Sequence, residues 1–409
     1  MNEYAAKENQ RILSRDFVIM CLAMFFTRMI FHMQNAVFPL YVTGILGLPK
    51  TIAGTLNSTA SIAAIITRPF IGRMVDRGRT KPLFIFGAAV YTISVLGSGI
   101  ITSIPLLFIF RFTYGIGQSS QGTTGSSAAT QLIPGSRMRE GVGYFGLTAS
   151  LSQAFGPMLA IALVTAFGYR NQFIASTGLL LGSCLMGMMV HMPTPAKAVT
   201  LKTSNDNTYE SDEDDQPGKW WHNVIEKTAA VHSLVMLLTD MALVTISTFL
   251  LIRADEIGVE KIGLFYTVQA VSVTAIRLFG ARLSNEKRER SVFIIGLLGM
   301  TGALIAIFFA TKLWHFVTIA ALYGLCTGNY YVTMQTMMIT NAPEHRRGMA
   351  NSTYFISYDI GVAVGAPMWG FLADTIGTRY IYPLAAMLPM ISMIIFITKI
   401  PKKTTLPSR

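Results

Sequence analysis

Charge is what this sequence has least of. Only 13% of its 409 residues are Asp, Glu, Lys or Arg, roughly half the share of an ordinary soluble domain. Hydrophobic residues make up 52%, and the mean hydropathy is +0.48. That balance excludes a conventional water-soluble globule. Cysteine is also scarce. Cys21, Cys184 and Cys326 each fall inside an apolar run with no close spacing, which excludes a disulfide framework and a cysteine-based metal site. No G-x-x-x-x-G-K-[ST] stretch occurs, so a phosphate-cradling loop and an ATP-driven cycle are not expected. No nucleophile or metal constellation stands out, and neither an enzyme nor a cofactor is expected.

What is present is a series of apolar runs of about twenty residues, each long enough to cross a bilayer core of about 30 Å. They are continuous rather than alternating, which points to helices and not to barrel strands. Hydropathy and turn residues place them near 17–42, 52–72, 83–101, 106–132, 142–166 and 171–192, then 231–252, 262–282, 292–311, 314–341, 350–373 and 379–399. The first run follows a polar N-terminus and lacks a small-residue cleavage site, so a retained span is expected rather than a signal peptide. The fold class is therefore an all-α membrane protein with the lipid bilayer as its solvent.

The net charge of +12 would suggest nucleic acid in a soluble chain. Here the cations sit beside spans, and no nucleic-acid partner is expected. Arg73, Arg77, Arg79 and Lys81 follow the second span, Arg137 and Arg139 the fourth, Lys287, Arg288 and Arg290 the eighth, and Arg346 and Arg347 the tenth. The alternate loops are poor in cations. Lys and Arg gather on the cytoplasmic side, so both termini and the middle loop are expected in the cytoplasm, with the protein multi-pass in the plasma (inner) membrane.

Between the two sets of spans the composition changes abruptly. Residues 193–230 include "SNDNTYESDEDDQPG", an acidic run read as a disordered tether. The "KWWHNVIEKTAAVH" after it could lie at the interface, anchored by Trp220 and Trp221. Three regions follow: 1–192, the 193–230 linker, and 231–409.

The two outer regions are copies. Laying "RPFIGRMVDRGRTKPLFIFG" (68–87) over "RLFGARLSNEKRERSVFIIG" (277–296) pairs Arg68 with Arg277, Phe70 with Phe279, Arg73 with Arg282 and Gly87 with Gly296, without a gap. The offset is 209 residues (277 − 68). It also pairs Tyr114–Gly115 with Tyr323–Gly324, Gly156 with Gly365, and Gly168 and Arg170 with Gly377 and Arg379. An even-numbered repeat makes the halves parallel, related by an axis along the membrane normal, which suits rocking around a midplane site.

Polar groups inside the spans mark candidate cavity walls, since charge at that depth is costly. Arg28, His32 and Asn35 share one helical face in the first span. They read either as a wall that binds a polar or anionic group or as an internal network tying Arg28 to an acid. Arg111, Gln118 and Gln121 share a face in the fourth span. Arg111 could bind substrate, tune a proton carrier or brace helices. Two acids, Asp240 and Asp359, are buried in sequence, and a carboxyl group in low dielectric can carry a coupling proton. Asp359, bracketed by Tyr354 and Tyr358, could instead lock onto an arginine. Tyr266 and Gln269, with Asn329, Tyr330, Tyr331 and Gln335, suit a ligand of mixed polarity.

These residues resemble the major facilitator superfamily. "GRMVDRGRTK" (72–81) is similar to its cytoplasmic signature G-x-x-x-D-R-x-G-R-R/K between spans two and three: Gly72, Asp76 and Arg77 match, Gly78 and Arg79 come one residue early, and Asn285 replaces the acid in the second copy. "RFTYGIG" (111–117) resembles the fourth-span signature with its buried Arg111, and "SQAFGPMLA" (152–160) the fifth-span antiporter signature around Gly156 and Pro157. The resemblance implies twelve transmembrane helices as two parallel six-helix repeats. It implies a gate in which Asp76, Arg77 and Arg79 hold the outward-facing state, favours Asp240 over Asp359 for coupling because the seventh span lines the cavity, and points to the drug and metabolite exporter group. The expected function is proton-coupled efflux of small amphipathic compounds by a monomer, with import of a small organic anion as the alternative and a transport-dead sensor less favoured.

Overall fold

Without water inside a bilayer, each backbone N–H and C=O in these apolar runs must find its partner within its own segment, and a helix is the local solution. The computed structural model describes residues 13–134, 137–191, 230–280, 289–341 and 347–400, apart from certain side chains within those ranges, Asp76 and Gln335 among them. Among the described residues all regular structure is helical.

The chain runs as α1 (Arg15–Leu40), α2 (Lys50–Asp76), α3 (Thr80–Ile100) and α4 (Ile104–Gln131). The stretch Met138–Met189 is two helices, α5 (138–167) and α6 (169–189), meeting at Gly168. The second half holds α7 (Ala230–Glu256), α8 (Gly263–Gly280), α9 (Glu289–Phe309), α10a (Leu313–Thr327), α10b (Tyr330–Asn341), α11 (Arg347–Ile376) and α12 (Ile381–Lys399). Among the described residues, each of the twelve expected segments overlaps helix. The tenth is interrupted at Gly328 and Asn329, a break its hydropathy did not signal. Residues 193–229, with the acidic run and the expected interfacial helix, lie outside the described residues.

Seven described helical stretches are individually long and apolar enough to cross a membrane. Those that fall short are α2, α4, α8 and α10a with α10b, and these are repeat-equivalent pairs: α2 with α8, α4 with α10. In α2 and α4 Ser, Thr and other polar residues dilute the apolar signal, whereas α10a is apolar and falls short in length because the tenth span is broken. Large apolar side chains such as Ile93, Leu185, Phe371 and Ile394 stand exposed on the outside. On a protein in water such a surface would drive aggregation; against acyl chains it is matched.

The repeat is legible in the backbone. Gly168 turns the α5–α6 corner at φ 81°, and Gly377 turns the α11–α12 corner at φ 95°. A side chain at either would be strained there. Gly156 brings α5 against the Met29 carbonyl of α1, and Gly365 brings α11 against the Met241 carbonyl of α7; a Cβ at either would sit 2.8 Å from that oxygen.

The halves meet along three lines, α2 against α11, α8 against α5, and α1 against α7. The first two exchange places under the repeat. At the end of the bundle away from the termini they are also bolted by polar contacts. Lys50 Nζ lies 2.6 Å from Glu256 Oε1. The Asp374 carboxylate accepts from the Lys50 and Thr51 amides at 3.0 and 2.8 Å and from Thr51 Oγ1 at 2.6 Å, capping the positive end of α2 from the opposite half.

Candidate functional site

Two abutting cavities lie between the halves. The larger, about 130 Å³, is walled by His32 and Asn35 of α1, Gln153 and Pro157 of α5, Asp240 and Ser247 of α7, Tyr266, Gln269 and Arg277 of α8, Tyr323 and Tyr331 of the broken tenth span, and Tyr358 of α11. The smaller, about 40 Å³, is walled by Arg111, Tyr114 and Gln118 of α4, Asn57 and Ser61 of α2, and Asp359 of α11. Phe31, Asn35 and Tyr358 belong to both walls.

The two buried acids have different surroundings. Asp359 is held by Arg68 of α2, with Nε 2.6 Å from Oδ2, and Arg68 also lies over the Phe355 ring. This is the arginine lock, and it joins the halves. Asp240 accepts one hydrogen bond, from the Tyr331 hydroxyl at 2.9 Å. Its other oxygen has no partner, although the side chain is only 1% exposed.

Arg111 is buried to the same degree. Its guanidinium carbon lies 3.2 Å from the Phe38 ring centre and 4.9 Å from that of Tyr114. Its Nε and Nη2 have no hydrogen-bond partner. Arg277, the repeat equivalent of Arg68, donates to the Gly328 carbonyl at 2.9 Å and to Ser150 Oγ of α5.

Several expected site residues stand elsewhere. Arg28 lines neither cavity: it donates to Thr148 Oγ1 at 2.9 Å and covers the Phe145 ring, bracing α1 against α5 without any acid. Gln121 shares a face with Gln118 by spacing, yet it is fully buried and lines neither cavity, because α4 packs there against α3 beside Gly87. Asn329 sits at the break in the tenth span, its carbonyl accepting from the Thr333 amide, and also lines neither cavity. Gly156 packs on α1, while Pro157 lines the larger cavity. At the end of α2, Gly72 is half-buried, and Arg77 and Arg79 are exposed with no ion pair among the described residues. The Asp76 and Gln335 side chains lie outside the described residues.

Sequence reading did not single out Gln153, Ser247 or Tyr323 as wall residues. It placed Arg68 and Arg277 in the repeat without giving either a partner. The offset held that signal: 68 and 277 are equivalent, and so are 150 and 359.

A family model described as Major Facilitator Superfamily matches the chain twice, over residues 20–231 and 228–409. The chain belongs to the major facilitator superfamily. This superfamily member is a multi-pass membrane transporter, similar along nearly its whole length to the staphylopine export protein of Staphylococcus aureus, with 21% identity over 93% of this chain and 96% of that one. Over 42% of each chain it is 25% identical to the multidrug resistance protein MdtG of Klebsiella pneumoniae. Among solved structures, the nucleoside transporter NupG shares the fold at a TM-score of 0.68, with 12% identity over 94% of this chain and 98% of that one.

Proposed function

We propose that this transporter is a proton-coupled secondary carrier that exports small amphipathic compounds or metabolites, working by alternating access around the central cavities. The observation that carries the reading is Asp240: a carboxylate with one unpartnered oxygen, in the wall of a cavity between the halves. Such a group is costly to leave charged in low dielectric, and a proton relieves the cost. Asp359, committed to Arg68, serves as a lock. The family resemblance, with relatives named for staphylopine export and multidrug resistance, supports export over import. The cations flanking α2, α4, α8 and α10b support cytoplasmic termini and residence in the plasma (inner) membrane.

A second reading, uptake or facilitated passage of a small organic anion, is favoured by Arg111 alone, since Arg28 is spent on Thr148.

Proteoliposomes enclosing a pH indicator separate the two. Compound-triggered proton movement supports coupled carriage. Radiolabelled uptake with no proton movement for any compound overturns coupling and leaves the facilitator.

A further inference from the structure

Among the described residues, two opposite buried charges in the middle of this protein lack an ion-pair partner, one on each half. Asp240 on α7 has a free carboxylate oxygen, and Arg111 on α4 has free Nε and Nη2. Each is only 1% exposed. They make no ion pair with each other, although the cavities they line share Phe31, Asn35 and Tyr358 as common wall. The other arginine and aspartate side chains in these walls have partners, and the histidine has a ring contact. Asp359 is taken by Arg68, Arg277 by Ser150 and the Gly328 carbonyl, and the His32 ring packs edge-on against Phe31.

An unpaired buried charge is expensive. Two of opposite sign, in the walls of two cavities that share three residues, are satisfied together by one molecule that brings both complements.

We infer that the transported ligand is dipolar, with a cationic nitrogen that binds Asp240 and a carboxylate or similar anionic group that binds Arg111. This rests on the reading of the cavities as the transport path and names the substrate class for it. The dimensions agree with the division. The smaller cavity, about 40 Å³, has room for one compact group, while the larger, about 130 Å³, takes the cationic end and the body.

The chemistry of each end agrees as well. Tyr266, Tyr323, Tyr331 and Tyr358 share the wall of the larger cavity with Asp240, and aromatic rings favour an organic cation. Phe38 and Tyr114 stack on the guanidinium of Arg111 and leave edge nitrogens for the planar, two-point contact that arginine makes with carboxylates. A ligand with only a cation leaves Arg111 unpaired, and one with only an anion leaves Asp240 unpaired. Because the two charges come from different halves, a dipolar ligand spans the interface that must rearrange.

The test uses the full-length protein in detergent micelles, with thermal unfolding and calorimetric titration at fixed pH and no gradient. The probes are matched triads built on apolar amino acids and dipeptides: the free zwitterion, its methyl ester (cation only) and its N-acetyl acid (anion only). The expected result is at least one zwitterion that binds about tenfold or more tighter than both of its derivatives. Asp240→Asn should then abolish the preference over the N-acetyl acid, and Arg111→Gln the preference over the ester. The wild-type ranking decides the matter even if a variant fails to fold. Esters or N-acetyl acids that bind as well as their parents overturn the inference, and so does a panel in which no zwitterion binds. Tight zwitterion binding without proton flux in liposomes overturns the coupling alone. Proton flux triggered only by singly charged compounds overturns the dipolar ligand and leaves coupling standing.

Discussion

Arg68 and Asp359 meet across the interface between the halves at 2.6 Å, and their equivalents one repeat away, Arg277 and Ser150, also meet. The same two positions therefore clamp both sides of the pseudo-twofold interface, once with an ion pair and once with a hydroxyl. The charged clamp joins α2 to α11 and the neutral one joins α8 to α5. The two sides of the interface therefore differ in the charge of their clamps.

Breaking the charged clamp leaves Arg68 without a partner in a mostly buried place. Asp359→Ser should cost about 3 kcal/mol or more, read as a lower thermal unfolding midpoint. Adding Ser150→Asp to that variant moves the acid to the repeat-equivalent position opposite Arg277. Partial recovery of the midpoint is expected. A double variant no more stable than Asp359→Ser would show that the two clamps are not interchangeable.

Arg28→Ala should act on packing, not on ligand choice. It removes the hydrogen bond to Thr148 and the cover over Phe145, a loss of about 1–2 kcal/mol. Apparent KM for acidic and for basic compounds should change by the same factor. A selective rise for acids would return Arg28 to the cavity.

Arg111→Met removes an unsatisfied buried charge and fills the space with an apolar chain. The ligand-free protein should unfold at a higher temperature while transport is lost, the trade expected where a site holds strain for function. A lower midpoint would mean that Arg111 braces helices, one of its three sequence readings.

The latch at the far end from the termini should hold that end shut. Asp374→Asn weakens the cap on α2, and Lys50→Ala removes the pair with Glu256. Each exposed pair is worth about 1 kcal/mol at most, so together they should shift the conformational balance by roughly tenfold. With Cys21, Cys184 and Cys326 replaced by serine, a Ser247→Cys probe in the larger cavity should label faster with an impermeant thiol reagent from that end. Unchanged labelling would leave the contacts without a gating role.

Much of this architecture is written in the order of residues. Apolar runs gave the helices because lipid offers the backbone no alternative partner, and the offset of 209 residues anticipated both corner glycines and both close-packing glycines. His32 and Asn35 reached the cavity because helical spacing fixes which face they share. Arg28 lies on that stripe one turn away, and there α5 presents Thr148 and Phe145 instead of open space. Helical phase gives a direction but not the neighbour met in that direction. For the same reason helical phase alone could not divide roles between Asp240 and Asp359, and only the family resemblance favoured Asp240: which acid finds an arginine depends on how α2 lies against α11. Arg68 read only as the repeat partner of Arg277, yet it points inward to Asp359, two turns before the loop begins.

The most direct test of proton coupling through Asp240 follows internal pH in proteoliposomes of the wild type, Asp240→Asn and Asp359→Asn when a transported compound is added. Asp240→Asn should abolish compound-triggered proton movement, while Asp359→Asn should reduce its rate and keep its ratio to compound transported. Proton movement that persists at full ratio in Asp240→Asn would contradict the assignment.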